Sequence, residues 1–140
     1  MVKDWLNIRA ADPTRALLVD RDGEHWETSP VEQARAAAFT LLALLREDPD
    51  LAGYGRQVDL LYSYCGVLPN LPSAVVQWLA QRWGEHQLLG RDDLLPDRIA
   101  ARIERSFTHG RNMLTERQIR VARAAIDGRN RLVDRRTNEF

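Results

Sequence analysis

The chain is poor in the residues from which most metal and redox sites are built. Cys65 is its one cysteine, so no internal disulfide forms and no cysteine-based zinc cluster is available, which fits a reducing compartment. Its histidines, His25, His86 and His109, stand far apart, with no HExxH, no CxxC and no pair at i,i+4; no metal or cofactor is expected. Long apolar runs are missing too. The opening MVKDW passes into charged residues before any useful hydrophobic stretch, which argues against a signal peptide or membrane span and for a soluble, cytoplasmic protein. The Gly53-Tyr54-Gly55 triplet lacks the lysine and the strand-to-helix setting of a phosphate loop.

Catalytic pairings are equally scarce. Asp20-Arg21-Asp22-Gly23-Glu24 resembles the start of a calcium loop but lacks the ligand ladder and terminal Glu, and Asp22-Gly23 serves better as a turn. His109, beside Gly110 and Arg111, reads as a polar linker residue, because a general acid for RNA cleavage needs a second proton-transfer group within reach. Cys65 reads as a buried structural thiol. No catalytic residue is assigned, and a non-enzymatic role is expected.

Lysine is nearly absent as well: Lys3 is the only one among 20 basic residues. The arginines that replace it are unevenly placed. Residues 1–97 carry 9 Lys+Arg against 15 Asp+Glu, and residues 98–140 carry 11 Arg against 5 acids, so the formal net charge of zero conceals a dipole. Local field depends on where the guanidinium groups lie, and a neutral total does not exclude a phosphate-binding surface.

Length and composition allow one domain over residues 1–140, mainly α: a compact bundle of about five helices with a short N-terminal β-hairpin as an addition. Residues 4–11 read as a short helix or turn placing Trp5, Leu6 and Ile8 on a core. Residues 16–28 read as a hairpin about Asp22-Gly23. Ser29, Pro30 and Glu32 form a capping-box start for a helix to about residue 47, its apolar side holding Ala34, Ala38, Leu41, Leu42 and Leu45. Clustered alanines at 34 and 36–38 would let a neighbour approach closely and place this helix centrally. Residues 57–67 read as a helix, with strand left open; residues 74–83 as a helix with a Val75, Val76, Leu79, Trp83 stripe and Gly84 as C-cap; residues 85–96 as a loop.

The last third reads as a basic two-helix unit over 97–136. From Asp97 to about Thr108, Ile99, Ile103 and Phe107 make an apolar edge opposite Arg98, Arg102 and Arg105. Thr115 with Gln118 caps the final helix, where Ile119, Ala122, Ile126 and Val133 share a face across from Arg117, Arg120, Arg131 and Arg135, provided Gly128 does not break it. Folded antiparallel, the two helices would join these arginines with Arg111 on one surface, suited to phosphates along an RNA or single-stranded DNA backbone. A helix-turn-helix is not matched, because a seven-residue connection stands where a three- to four-residue turn is wanted. The expected function is therefore nucleic-acid-backbone binding, as an accessory subunit of a nucleoprotein assembly. The alternative is a protein adaptor or assembly subunit whose acidic and basic regions dock on partners or on copies of itself, with Trp78 as an exposed aromatic anchor.

Overall fold

The computed structural model describes residues 1–47, 61–108, 115–124 and 126–127. Its architecture is mixed rather than an all-helical bundle. A three-stranded antiparallel meander, β1 (Ile8–Ala11), β2 (Arg15–Asp20) and β3 (Gly23–Thr28), precedes α1 (Pro30–Arg46). β4 (Gly66–Leu68), α2 (Ser73–Trp83), β5 (Leu88–Gly90), a 3-10 turn (Arg91–Leu94) and α3 (Ile99–Arg105) follow, and residues 116–124 are helical. β4 and β5 run parallel, giving a second small sheet. The chain divides into two compact units, Met1–Phe39 with Tyr62–His109, and Thr40–Leu61 with Gly110–Phe140.

Among the described residues the larger core lies in the first unit. Trp5, Ala16, Leu18, Val31, Leu68, Leu71, Val76, Leu79, Trp83 and Leu88 bury together. Trp5 and Trp83 meet edge to face with centroids 6.3 Å apart. Each indole finds an acceptor for its N–H: Trp5 donates to Glu27 Oε2 at 2.9 Å and Trp83 to the Asp12 carbonyl at 2.9 Å. Two large rings are thus buried with no orphaned polar atom.

The meander replaces the lone hairpin expected from sequence. Its β2–β3 half is the expected ribbon, but the turn lies one residue earlier, at Arg21-Asp22, with Asp20 paired to Gly23. Gly23 sits at φ +109°, a conformation that disfavours a Cβ. The surprise is β1, where a short helix or turn was expected. Asp12 explains it: Oδ1 accepts the backbone N–H groups of Thr14 (2.9 Å) and Arg15 (2.6 Å), turning the chain back so that Ile8–Ala11 pairs with β2. Trp5 is buried as expected, whereas Leu6 stands in solvent.

Those hydrogen bonds also set the acid response of this turn. The Thr14 N–H foremost, then the guanidinium and N–H of Arg15, hold the Asp12 carboxyl below its ordinary value of 3.8. A depressed folded-state value means the stabilisation is complete above the unfolded value and disappears as pH falls through the folded one. Asp12→Asn is therefore expected to flatten the acid limb of the stability profile below about pH 4 while leaving the shape between neutral and mildly alkaline pH unchanged, as read by circular dichroism.

α1 begins as expected at Ser29. Ser29 Oγ accepts the Val31 N–H at 3.1 Å and its carbonyl accepts the Gln33 N–H at 3.1 Å. The reciprocal half of the capping box is replaced, because the Ser29 N–H goes to the Thr14 carbonyl at 2.8 Å and Glu32 turns toward Arg35. The cap is thereby tied to the meander. Val31, Ala34, Leu42 and Leu45 are buried, but Leu41, Ala36 and Ala37 are exposed, so the buried stripe of α1 is narrower than expected.

Residues 61–67 hold no helix; the strand option applies, and residues 57–60 lie outside the described residues. Gly66 explains the choice of residue in β4, since a Cβ there would lie 3.0 Å from the Val31 nitrogen at the start of α1. The stretch expected as a loop contains β5, and its leucines Leu88 and Leu89 are buried against α2. α2 itself is as expected, with Val76, Leu79 and Trp83 buried and Gly84 at φ +117° ending it.

In the second unit Leu42, Leu45 and Ala122 are buried. Thr115 and Gln118 form the expected reciprocal cap: the Gln118 N–H donates to Thr115 Oγ1 at 3.2 Å and the Thr115 N–H to Gln118 Oε1 at 2.9 Å. No described helix is long and apolar enough to cross a membrane.

Candidate functional site

Both basic helical segments are rotated about their axes relative to the expected phase, and the rotation decides which arginines reach solvent. On α3 the inward face is Ile99, Arg102 and Ser106, not Ile99, Ile103 and Phe107. Ile103 and Phe107 are 44% and 42% exposed. Arg102, expected in solvent, has a side chain only 17% exposed. Its Nε donates to Asp93 Oδ1 at 2.8 Å and its Nη2 to the Leu88 carbonyl at 3.0 Å. Asp93 in turn accepts the Gly90 N–H through Oδ2 at 2.9 Å, so one carboxylate ties the end of β5 to α3.

Ser106 completes this polar seam. It is almost fully buried, its hydroxyl paired with Ser63, and its carbonyl accepts the Gln87 side-chain amide at 3.4 Å. α3 docks through charge-assisted and neutral hydrogen bonds where apolar packing was expected. Arg98 and Arg105 remain exposed on its outer side and pair with no described carboxylate. Ion pairs do occupy arginines nearer the N-terminus, Arg9 with Glu24, Arg15 with Asp12 and Arg35 with Glu32.

The helix over 116–124 shows a different arrangement. Ala122 faces inward, with Gln118 and Val121 half-buried beside it. Arg117, Arg120 and Arg123 are exposed, again with no ion pair to a described residue. Ile119 and Ile126, expected in the core, are 43% and 37% exposed. At 100° per residue Arg123 falls about 40° from Ile119, so the two share one exposed side of the helix over 116–124, with Arg120 about 60° further round. Arg123 was not singled out in the sequence, where the phase was set by treating every isoleucine as core. Arg111, Arg131 and Arg135 lie outside the described residues, as do His109, Gly128 and Val133, and with them the array of all eight expected arginines.

Trp78 is 37% exposed, yet it is not bare. The Arg82 guanidinium lies 3.9 Å over its ring and donates to the Trp78 carbonyl at 3.0 Å. A partner would have to displace this cation or bind against it. Cys65 is half-buried, with Ser63 Oγ 4.0 Å from its sulfur. His86 is exposed. Among the described residues no group of three or more His, Cys, Asp or Glu side chains is placed to hold a metal.

These features define a mixed protein of helices and two small sheets. Comparison with protein-family models, with curated proteins and with solved structures finds no match to this chain.

Proposed function

We propose that the protein is a non-catalytic interaction module whose recognition surface is the Ile119, Arg123, Ile126 ridge with Arg120 beside it. The observation that carries this reading is the exposure of Ile119 and Ile126 together with Arg123, an arginine that pairs with no described carboxylate. Isolated exposed apolar residues need no explanation, but exposed residues spaced i, i+4 and i+7 match the anchor spacing of a helix laid into a partner's groove. Arginine between the anchors favours an apolar groove rimmed by acidic side chains. A partner protein or a second copy of this chain, whose first 97 residues carry the acidic excess, meets that description.

Nucleic-acid-backbone binding is the second reading, supported by the exposure of Arg98, Arg105, Arg117, Arg120 and Arg123. It draws less support than the sequence promised. Arg102 is committed to Asp93 and Leu88, and phosphate binding gives the exposed isoleucines no role.

A photo-reactive residue placed at Ile119, with the same probe at Glu24 as control, tests the first reading in cells. The expected result is one discrete crosslinked protein from position 119 that is missing from position 24. Crosslinks to nucleic acid from position 119, or identical products from both positions, would contradict it.

A further inference from the structure

The meander has two edges, and they are not equivalent. β1 is four residues long and its register shifts between Ile8 and Ala10, an irregularity that discourages further pairing. β3 is six residues long, pairs with β2 in unbroken register, and contains neither proline nor lysine. The ladder fixes which of its backbone groups are free. Asp20 pairs with Gly23 across the two-residue turn, and the Ser29 N–H goes to the Thr14 carbonyl at 2.8 Å, so Gly23, His25 and Glu27 turn their backbone groups toward β2. Glu24, Trp26 and Thr28 turn theirs the other way, and no backbone group of a described residue bonds to them.

An apolar pair ends at this edge. Leu17 and Trp26 stand directly opposite each other on β2 and β3, on the face away from buried Ala16 and Leu18. Trp26 is 46% exposed, with the Arg15 guanidinium 4.9 Å from its ring centroid.

The β3 sequence complements itself in one antiparallel register. Free groups at Glu24, Trp26 and Thr28 admit a two-fold axis at His25, Trp26 or Glu27. An axis at Glu27 sets two carboxylates directly opposite, and one at His25 opposes Thr28 with Asp22, beyond the end of the strand. An axis at Trp26 engages all three free residues, opposes Glu24 with Thr28 and Glu27 with His25, and brings the two Trp26 residues together. No like charges are then directly opposed. The row reads Leu17, Trp26, Trp26, Leu17 through both copies, an aromatic and aliphatic cross-strand series of the kind that stabilises antiparallel sheets.

We infer that β3 pairs antiparallel with β3 of a second copy about a two-fold axis at Trp26, joining two meanders into one six-stranded sheet. Pairing along one short edge falls at the small end of specific interfaces, so dissociation in the micromolar range is expected. Ile119 lies in the other unit and plays no part in this pairing.

Sedimentation equilibrium of the whole protein from micromolar to millimolar concentration tests the inference, with unfolding curves to establish that each variant is folded. Wild type is expected to pass from monomer to dimer. Trp26→Lys and Trp26→Glu each set like charges opposite and should weaken dimerisation about tenfold. An equal mixture of the two should associate more tightly than either alone, as a residue that faces its own copy requires. The Trp26 backbone amide should exchange more slowly with solvent as the dimer forms, and Ile119→Ser should leave the dimer unchanged. A monomer at every concentration, a mixture no tighter than its components, Trp26 amide exchange that ignores concentration, or association that responds to Ile119→Ser and not to position 26 would overturn the inference.

Discussion

Leu79→Ala is expected to lower stability by about 2–5 kcal/mol, whereas Ile103→Ala should change it by no more than about 0.5 kcal/mol. Leu79 is fully buried in the main core of the first unit, and alanine there leaves a cavity among Val76, Leu88 and Trp83 that a rigid core fills incompletely. Ile103 projects from α3 into solvent, so truncation removes little that folding had covered. Urea unfolding of the two variants reads the difference directly. Comparable losses would mean that Ile103 belongs to a core after all.

Arg102→Ala should cost about 1.5–3 kcal/mol, while Arg105→Ala, three residues on, should be close to neutral. The loss at 102 has two parts: charge-assisted bonds to Asp93 and Leu88 disappear, and Asp93 is left partly buried with only the Gly90 N–H. The same pair separates structure from binding. If Arg102 served a ligand and not the fold, its removal would leave the unfolding midpoint unchanged.

Much of the local structure was legible in the sequence, because caps and turns are written in adjacent residues. Ser29-Pro30 starts α1, Gly84 ends α2, Thr115 with Gln118 starts the last described helix, and the β2–β3 ribbon lies within the expected residues with its turn one residue earlier. The signal for β1 lies outside the strand itself: Asp12-Pro13-Thr14 is a turn sequence, whereas the apolar spacing of residues 4–11 carries no strand pattern. β4 and β5 were hidden for another reason. Each is three residues long, and parallel partners 22 positions apart leave no local pattern when both faces are covered.

The candidate site was the least legible part, and the failure has a single physical cause. Periodicity shows that a helix is amphipathic, but it does not say which of two adjacent stripes faces inward. On α3 the isoleucine stripe and the arginine stripe adjoin, and Asp93 with the Leu88 carbonyl supplies acceptors that draw Arg102 inside. On the helix over 116–124 the small residue Ala122 takes the inward position and leaves Ile119 outside. On α3 the choice was made by Asp93 and Leu88, which precede the helix.

The most direct test of the proposed ridge is the affinity of the crosslinked partner, once purified, for the wild-type protein and for Ile119→Ser, Arg123→Glu and Arg98→Glu. Weakening of about tenfold or more at positions 119 and 123, with Arg98→Glu near wild type and only a modest salt dependence, is the predicted pattern. Binding that ignores Ile119→Ser but falls with each arginine reversal and steeply with salt would contradict the account and return the ridge to a polyanion.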